Sequence, residues 1–375
     1  MTITIIAVAV IAVIAIAAIV LMGNGGNDKP SEGITIIDGS GQEITIQEPI
    51  ESCTVVNTNL PKAMKVLSLQ DNVENIIFYK SSDYQEYYDM EFTRIDENAP
   101  LASGLNNAEY FITHNVKYII EPVSSNKLTK AAEDACKNAG ITVIKLDCYG
   151  DTMIEDMEKL VKLFGSTKKV QNAFVDYKST REKVIEAVLG KTDIKESDRF
   201  LFYFAGLTAF YTQEAELSKM MGTIWGHNAI ADVLSSPSGV TVKANVAGIK
   251  EDLTELNGVK PIELLIIRAT GGDQADDLEG KWIGKPIADY DLAYLKGKNS
   301  AVYCIESDLL SGPIDYIAYV ALAEIAGIDT GFSVYDLVHS YLDKYGFKLG
   351  TETYIWHYEF DDDGTLMQVV KADIE

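Results

Sequence analysis

Polar and aromatic side chains that can bind a small molecule follow several predicted strands of this 375-residue chain. In open α/β sheets, ligands bind beyond the carboxyl ends of the strands. Tyr211 and Trp225 offer aromatic faces to a flat or bulky ligand, and Arg268 offers a cation to a carboxylate. The predicted ligand-binding residues are Asn57, Thr58, Asn59, Tyr79, Ser103, Asn106 and Glu121 in the first half of the chain, and Tyr211, Trp225 and Arg268 in the second.

Each class of candidate has a structural alternative. Tyr211 and Trp225 can equally be core aromatic residues, and Arg268 can form a surface salt bridge. The side chains of Asn57 and Thr58 can cap the helix that follows them. Sequence leaves these alternatives open.

Motifs of the common catalytic classes are missing from the sequence. It has no G-x-S-x-G, no G-x-x-x-x-G-K-[ST], no G-x-G-x-x-G and no H-E-x-x-H. The four histidines are far apart, and no two stand four residues apart as metal ligands on one helix face would. We therefore expect a protein that is not an enzyme, with no catalytic residues, no metal site and no resident cofactor.

The four cysteines are scattered along the chain. They form no C-x-x-C pair, which argues against structural zinc. Cys136 and Cys148 are close enough in sequence to form a disulfide outside the cell. The alternative is that the cysteines are small buried apolar residues.

The N-terminus contains one long apolar segment. Ile3–Met22 has about 20 consecutive uncharged residues, which as a helix would span the hydrocarbon core of a bilayer. No Lys or Arg precedes the segment, and Leu21–Met22 is a poor cleavage site, so we predict an uncleaved anchor over residues 1–22 rather than a signal peptide. Residues 23–32 are polar and rich in glycine, as in a tether.

The net charge of −24 lies entirely outside the apolar segment. Such a surface repels the phosphate backbone, so we expect no nucleic-acid partner. The composition, with 47% hydrophobic and 23% charged residues, is that of a folded globular protein. The roughly 340 residues after the tether exceed one typical domain and indicate two lobes.

Strand and helix patterns alternate along both halves of the chain, which predicts α/β lobes with mainly parallel sheets. Between the halves, apolar residues recur at helical spacing without any strand pattern, which predicts a long helix over 166–190. We therefore predict a first lobe over 33–165, this single interlobe helix, and a second lobe over 191–375 that ends in a hairpin. Tyr211 is expected in a loop, and the segment Ala215–Leu234 is expected to be largely helical, with a break near Gly222–Gly226.

The order of these elements resembles the periplasmic-binding-protein family that serves ABC importers of iron-siderophore, haem and cobalamin. The segments that carry the resemblance are Ile37–Ile46 (IDGSGQEITI), Cys53–Asn59 (CTVVNTN), Leu101–Gly104, Asn115–Pro122, Leu256–Ile267, Lys298–Tyr303 and Ser311–Pro313. Where the family usually has Pro-Asp, this chain has Val116-Lys117 in one half and Pro261-Ile262 in the other.

The resemblance implies two α/β lobes joined by a rigid helix, with the ligand in the cleft between them. It also implies an extracytoplasmic protein that delivers a metal chelate to an ABC permease, held at the membrane by the N-terminal helix. Few histidines are present, so a chelate is preferred over a bare transition metal. Two alternatives remain: a nitrogenase- or chelatase-like enzyme of metal cofactors, and a surface receptor that kept the fold without transport.

Overall fold

The computed structural model describes residues 33–57, 59–77, 105–123, 127–195, 197–204, 208–234, 239–246, 248–269, 301–348, 355–360 and 366–371. Within those ranges, no helix has the length and apolar character needed to cross a membrane. The predicted anchor and tether lie outside the described residues. The predicted site residues Thr58, Tyr79 and Ser103 also lie outside them.

A short antiparallel hairpin opens the described chain. Its strands β1 (Ile34–Ile37) and β2 (Glu43–Ile46) pair from Ile34 opposite Ile46 to Ile37 opposite Glu43, as the sequence predicts. The Asp38 carboxylate closes the turn by accepting hydrogen bonds from the backbone and hydroxyl of Ser40. Its second oxygen accepts from the backbone N–H of Lys145 at 3.2 Å, which fixes the hairpin to the first sheet.

The first sheet has four described strands in the order β4-β3-β5-β6, and every pairing is parallel. Its central strands are apolar on both faces because helices cover both sides: Val55, Val56, Ile119 and Ile120 are fully buried. The strands are β3 (Cys53–Val56), β4 (Val73–Ile77), β5 (Tyr118–Glu121) and β6 (Thr142–Lys145), and the helices are α1 (Asn59–Val66), α2 (Ala108–Thr113) and α3 (Lys130–Asn138).

Two helices lead from the first sheet to the second. After α4 (Met153–Leu163), helix α5 runs over Lys168–Leu189, and the Thr167 side chain caps it by accepting from the Val170 N–H. At 22 residues, α5 is about 33 Å long. It packs against α1 of the first half and against α9 (Asp315–Ile325) of the second. The helix is present where the sequence predicts it; its role as a rigid connection stays a prediction.

The second sheet is mixed, with a parallel centre. Its strand order is β10-β8-β7-β11-β12-β13-β14, and β9 pairs with β7. Strand β7 pairs in parallel with β9 and with β11, and β11 pairs in parallel with β12. The pairs β10–β8, β8–β7, β12–β13 and β13–β14 are antiparallel. The strands are β7 (Arg199–Phe204), β8 (Ala209–Tyr211), β9 (His227–Asn228), β10 (Thr241–Lys243), β11 (Leu264–Ala269), β12 (Ala301–Glu306), β13 (Ile355–Phe360) and β14 (Leu366–Lys371).

One expectation for the second half is wrong. Tyr211 lies at the end of strand β8 rather than in a loop, because the chain turns back after β7 and pairs with it antiparallel. Over Ala215–Leu234 the helical structure breaks where the sequence predicts, since α6 (Glu216–Gly222) ends at Gly222, but strand β9 lies in the break before α7 (Ile230–Val233). Gly226 has no room for a side chain, since a Cβ there would lie 2.5 Å from the Asp198 carbonyl oxygen.

The remaining helices are α8 (Ile249–Val259), α9 and α10 (Val334–Tyr345). One apolar core cluster runs from Ile36 in the first hairpin, through Leu160 and Tyr177 of α4 and α5, to Phe202 and Ile317 in the second half. Alternate residues of β7 face a separate cluster on the other side of the second sheet, as the period of a strand requires. The two sheets therefore share a continuous apolar core along α4, α5 and α9.

All four cysteines are described, and all four are buried free thiols. Cys148 lies in the cluster shared by the two sheets, and Cys304 lies in the cluster on the far face of the second sheet. The structure thus has the second of the two arrangements that the sequence allows for Cys136 and Cys148.

Candidate functional site

The carboxyl ends of strands from both sheets meet around one arginine side chain. Arg268 is the penultimate residue of β11, and Ser307 directly follows β12. Tyr149 follows β6 of the first sheet, and it lies close enough for the Arg268 guanidinium to act on its phenol: burial raises the pKa of Tyr149, and the nearby cation opposes that rise. We call Tyr149, Phe204, Tyr211, Arg268 and Ser307 the Arg268 cluster.

Two hydroxyl groups and an aromatic face hold the Arg268 guanidinium. Its Nε donates to Ser307 Oγ at 2.8 Å, and its Nη1 donates to Tyr211 Oη at 2.8 Å. The guanidinium carbon lies 4.8 Å from the centroid of the Phe204 ring. The Phe204 and Tyr211 rings stack with an interplanar angle of 9° and a centroid distance of 5.8 Å. The result is a fixed cation on an aromatic platform.

Arg268 differs from the two other described arginines in its partners. Arg181 binds the buried Asp315 carboxylate through two hydrogen bonds of 3.0 and 2.8 Å. Arg199 binds Asp232 at 2.8 Å. Across the described ranges, no carboxylate oxygen lies within 4.0 Å of the Arg268 guanidinium. Within the described part of the chain its hydrogen-bond partners are neutral hydroxyl groups, and the charge of Asp308 acts on the half-buried side chain from beyond ion-pair distance.

The nearest buried carboxyl group is kept largely protonated at neutral pH. Glu306, the last residue of β12, is 1% exposed, and burial followed by the negative charge of Asp308 raises its pKa from 4.5 to about 8. One of its oxygens caps the turn after β12 by accepting from the Asp308 N–H at 3.3 Å. Because its carboxyl group is mostly neutral at pH 7, Glu306 contributes little negative charge near Arg268, whereas the Asp308 carboxylate acts on both groups.

Tyr149 also lines a cavity of about 150 Å³. The cavity is bounded by the loop after β6, by α6, and by Arg181 and Asp315 at the contact between α5 and α9. Gly150 brings the loop against α6: its φ of +56° favours glycine, and a Cβ there would lie 2.6 Å from the Glu216 carboxylate. The cavity is smaller than the 300–1,000 Å³ typical of sites for drug-sized ligands.

Two of the predicted site residues, Tyr211 and Arg268, lie together in this cluster. Asn57 and Asn59 lie at the start of α1, where Asn57 Oδ1 accepts from the Asn59 N–H at 3.2 Å. Asn59 also faces the second half of the chain, because a Cβ added at Gly312 would lie 3.3 Å from its Oδ1. These two asparagines thus border the contact between the two halves.

Three predicted residues lie elsewhere. Glu121 is fully buried inside the first half, where its Oε2 accepts from the Leu128 N–H at 2.6 Å, and burial raises its pKa to about 7. Asn106 is exposed in the turn before α2. Trp225 is half-buried and packs against the apolar core, which is the alternative that sequence leaves open for it.

Sequence reasoning misses Tyr149, Phe204 and Glu306. Each stands at or just beyond the end of a strand, which is the signal that selects the other candidates. Phe204 and Glu306 read as ordinary strand residues, and Tyr149 precedes a helix without any distinguishing motif. Ser307 follows the same strand as Glu306, and only the structure pairs it with Arg268.

Several solved structures have folds similar to that of this chain. The TroA-like periplasmic binding protein FepB from Veillonella parvula matches with a TM-score of 0.54 at 15% identity, covering 86% of this chain and 99% of that one. Helicobacter pylori CeuE with Ni(II) bound matches with a TM-score of 0.55 at 16% identity, covering 83% and 95%. The heme binding protein HmuT matches with a TM-score of 0.51 at 15% identity, covering 80% and 92%.

No protein-family profile matches the chain, and no curated protein has significant sequence similarity to it. The chain has the fold of the TroA-like periplasmic binding proteins, so the resemblance noted from sequence is confirmed at the level of fold. The FepB and HmuT structures are named as binding proteins.

Proposed function

We propose that this protein is the solute-binding component of an ABC importer and captures an anionic metal chelate between its two halves. The chelate would be an iron-siderophore, haem or a corrinoid such as cobalamin. The proposal is supported most directly by Arg268, a half-buried guanidinium that is fixed by hydroxyl groups and has no carboxylate within ion-pair distance in the described part of the chain.

A charge in that position is costly unless something neutralises it. Structural arginines in this protein meet that requirement with an aspartate, as Arg181 and Arg199 do. Arg268 instead presents its cation beside stacked rings, an arrangement that suits a carboxylate or other oxygen anion on a flat or bulky ligand. The chelates in the proposed class combine anionic oxygen groups with large apolar or aromatic surfaces.

The chelate is proposed to bind at the Arg268 cluster. The 150 Å³ cavity lined by Tyr149, Gly150 and Arg181 is too small for such a ligand. Residues 78–104, 205–207 and 270–300 follow β4, β7 and β11 in the sequence and are therefore the candidates for the rest of the site. Predicted contacts at Tyr79 and Ser103 belong to this part of the proposal.

The domain arrangement completes the proposed transport role. Lobes over 33–165 and 191–375 would be joined by the helix over 166–190, with α5 as a stiff strut that allows only small changes in cleft width. The apolar segment 1–22 would anchor the protein at the extracytoplasmic face of the membrane. Anchoring there would raise its effective concentration at the permease.

The enzyme alternative lacks a specific observation in its favour. It needs metal-binding thiols or histidines in the cleft, whereas Cys148 and Cys304 are buried in different apolar clusters. Burial raises the pKa of the Cys148 thiol well above its ordinary value, which opposes metal binding through a thiolate. The receptor alternative is an outcome of the test below.

A thermal-shift screen of the full chain in mild detergent tests the proposal. The panel holds ferric hydroxamate and catecholate siderophores, haem, cobalamin and bare divalent metals. A ligand at 100 times its dissociation constant stabilises the native state by about 2.7 kcal/mol. We expect one chelate to raise the melting temperature and the bare metals to leave it unchanged. A panel without any shift would leave the surface receptor as the better account.

A further inference from the structure

Helix α1 of the first half carries a buried lysine that binds the second half. Lys62 is 2% exposed, and its Nζ lies 3.3 Å from Asp308 Oδ1, in the 3-10 turn Ser307–Leu310 after β12. A buried ammonium group is stable only when it is paired and hydrogen-bonded. The Lys62–Asp308 pair therefore forms a specific electrostatic contact between the two halves of the chain.

Two more contacts join α1 to the second half of the chain. A Cβ at Gly312 would lie 3.1 Å from the Lys62 side chain, so the segment after the turn covers the lysine closely. One helical turn further on, Lys65 Nζ donates to the Gly346 carbonyl oxygen at 2.7 Å, at the end of α10. One face of α1 thus contacts the second half at two separate points.

The turn that Lys62 binds also holds Arg268. Ser307 accepts a hydrogen bond from Arg268 Nε, and Asp308, the next residue, accepts from Lys62. The two cations come from opposite halves of the chain and bind adjacent residues of one short turn. A displacement of this turn would change the position of Arg268 and the contact between the halves together.

We propose that Lys62 is a positioning residue: it holds the Ser307–Leu310 turn from the first half and so fixes both the Arg268 cation and the arrangement of the two halves. Lys62 acts through Asp308 and does not touch the ligand. Only the identity of what Arg268 binds rests on the proposed function. The contact between Lys62 and the turn can be tested without any ligand.

Hydrogen–deuterium exchange of the full chain, without ligand, is the first measurement. Lys62→Met and Asp308→Asn should each speed exchange of the amides of residues 307–315 by at least about tenfold, because each leaves one charged partner unpaired. Lys62→Arg keeps the cation and should restore most of the protection. The double variant should exchange no faster than the worse single variant, because both changes break one contact.

Lys145→Met is the matched control. Lys145 is also a largely buried lysine of the first half, paired with Glu133 at 3.0 Å, but its partners lie in the first half. Its loss should leave exchange in residues 307–315 unchanged. Equal effects of Lys62→Met and Lys145→Met would mean general destabilisation and would overturn the proposal, as would unchanged exchange in both Lys62→Met and Asp308→Asn.

The second measurement adds haem as a probe to the same variants. If wild type binds haem, Lys62→Met should weaken binding about tenfold or more, while Lys145→Met should not. Faster exchange with unaltered haem affinity would overturn the positioning of Arg268. If wild type binds neither haem nor any other chelate of the panel, the proposed function fails, while faster exchange in both single variants still supports the contact of Lys62 with the turn.

Discussion

Arg181 and Arg268 differ in the groups that compensate their positive charge. Arg181 lies at the contact of α5 with α9, and Arg268 lies near the end of β11. Arg181 is bound at two points by Asp315, and both side chains are at most 15% exposed. Arg268 is bound by two hydroxyl groups and lies over an aromatic ring. The Arg181 charge is neutralised by Asp315, whereas no carboxylate among the described residues lies within ion-pair distance of Arg268.

This difference distinguishes charged side chains that stabilise the fold from charged side chains that can bind a ligand. A paired charge stabilises the arrangement of helices around it but offers nothing to a ligand. An unpaired charge costs stability in the free protein, and binding of an anion can recover that cost. The high pKa of Glu306 belongs to the second pattern, because a neutral carboxyl group beside Arg268 preserves the unpaired state at neutral pH.

The largest predicted effect is at the paired site. Asp315→Asn should lower the free energy of unfolding by about 3–5 kcal/mol, because it leaves the Arg181 charge buried without its partner. Urea denaturation measures the change. Glu158→Gln, which breaks the exposed ion pair with Lys162, is the control and should change stability by less than about 0.5 kcal/mol. Similar losses in both variants would remove the distinction between the two arginines.

The next effect concerns the pH dependence of stability. The folded pKa of Glu306, about 8, lies above its ordinary value of 4.5, so folding favours the protonated form. Its contribution to stability is complete below about pH 4.5 and is lost as the pH rises through 8. Relative to wild type, Glu306→Gln should therefore gain stability between pH 5 and 8, by roughly 2–4 kcal/mol.

Melting temperatures across that pH range test this prediction. Glu324→Gln is a useful comparison, because burial raises the pKa of Glu324 to about 7 at a position far along α9. The stability that Glu324→Gln gains relative to wild type should stop increasing about one pH unit lower than that of Glu306→Gln. A constant difference between Glu306→Gln and wild type from pH 5 to 8 would show that Glu306 is ionised in the folded protein.

A smaller effect is expected from the Tyr211 hydroxyl. Tyr211→Phe keeps the ring stacked on Phe204 but removes the acceptor of the 2.8 Å hydrogen bond from Arg268 Nη1. It should lower the free energy of unfolding by about 1 kcal/mol. Chemical denaturation of Tyr211→Phe and of Tyr335→Phe measures the two losses. Tyr335 is exposed, so its variant is the control. A loss no larger than that of Tyr335→Phe would mean that the hydroxyl does not hold Arg268.

The smallest effect on stability is predicted for Arg268 itself. Arg268→Met keeps most of the side-chain packing on Phe204 and removes a charge without a carboxylate partner, so stability should change by less than about 1 kcal/mol. The same denaturation experiment as for Asp315→Asn checks it. A loss of several kcal/mol would place Arg268 with Arg181 as a structural residue.

Most of the fold follows from sequence because its signals are local. The period of apolar residues and the capping and turn residues predict the positions of three elements: the hairpin around Asp38, the 22-residue helix capped by Thr167, and the strand Arg199–Phe204. The short strands β8 and β10 are not predicted in this way, because three-residue strands are defined by their partners rather than by their own pattern. For that reason Tyr211 was expected in a loop.

The site is less predictable than the fold. Position near strand ends selects Arg268 and Tyr211, which the structure brings together, but it also selects Glu121, which binds backbone inside its own half. The described partners of Arg268 and the burial of Lys62 arise from contacts between residues far apart in the chain. No local pattern distinguishes these residues from surface cations.

The proposed site depends on Arg268, whose described partners include no carboxylate within ion-pair distance, binding an anionic chelate. Calorimetric titration of wild type and Arg268→Met, with the chelate that gives the largest thermal shift, measures this contribution. We expect one-to-one binding by wild type and a loss of at least about tenfold in affinity in Arg268→Met, corresponding to about 1.4 kcal/mol. Equal affinity in the two proteins would contradict it.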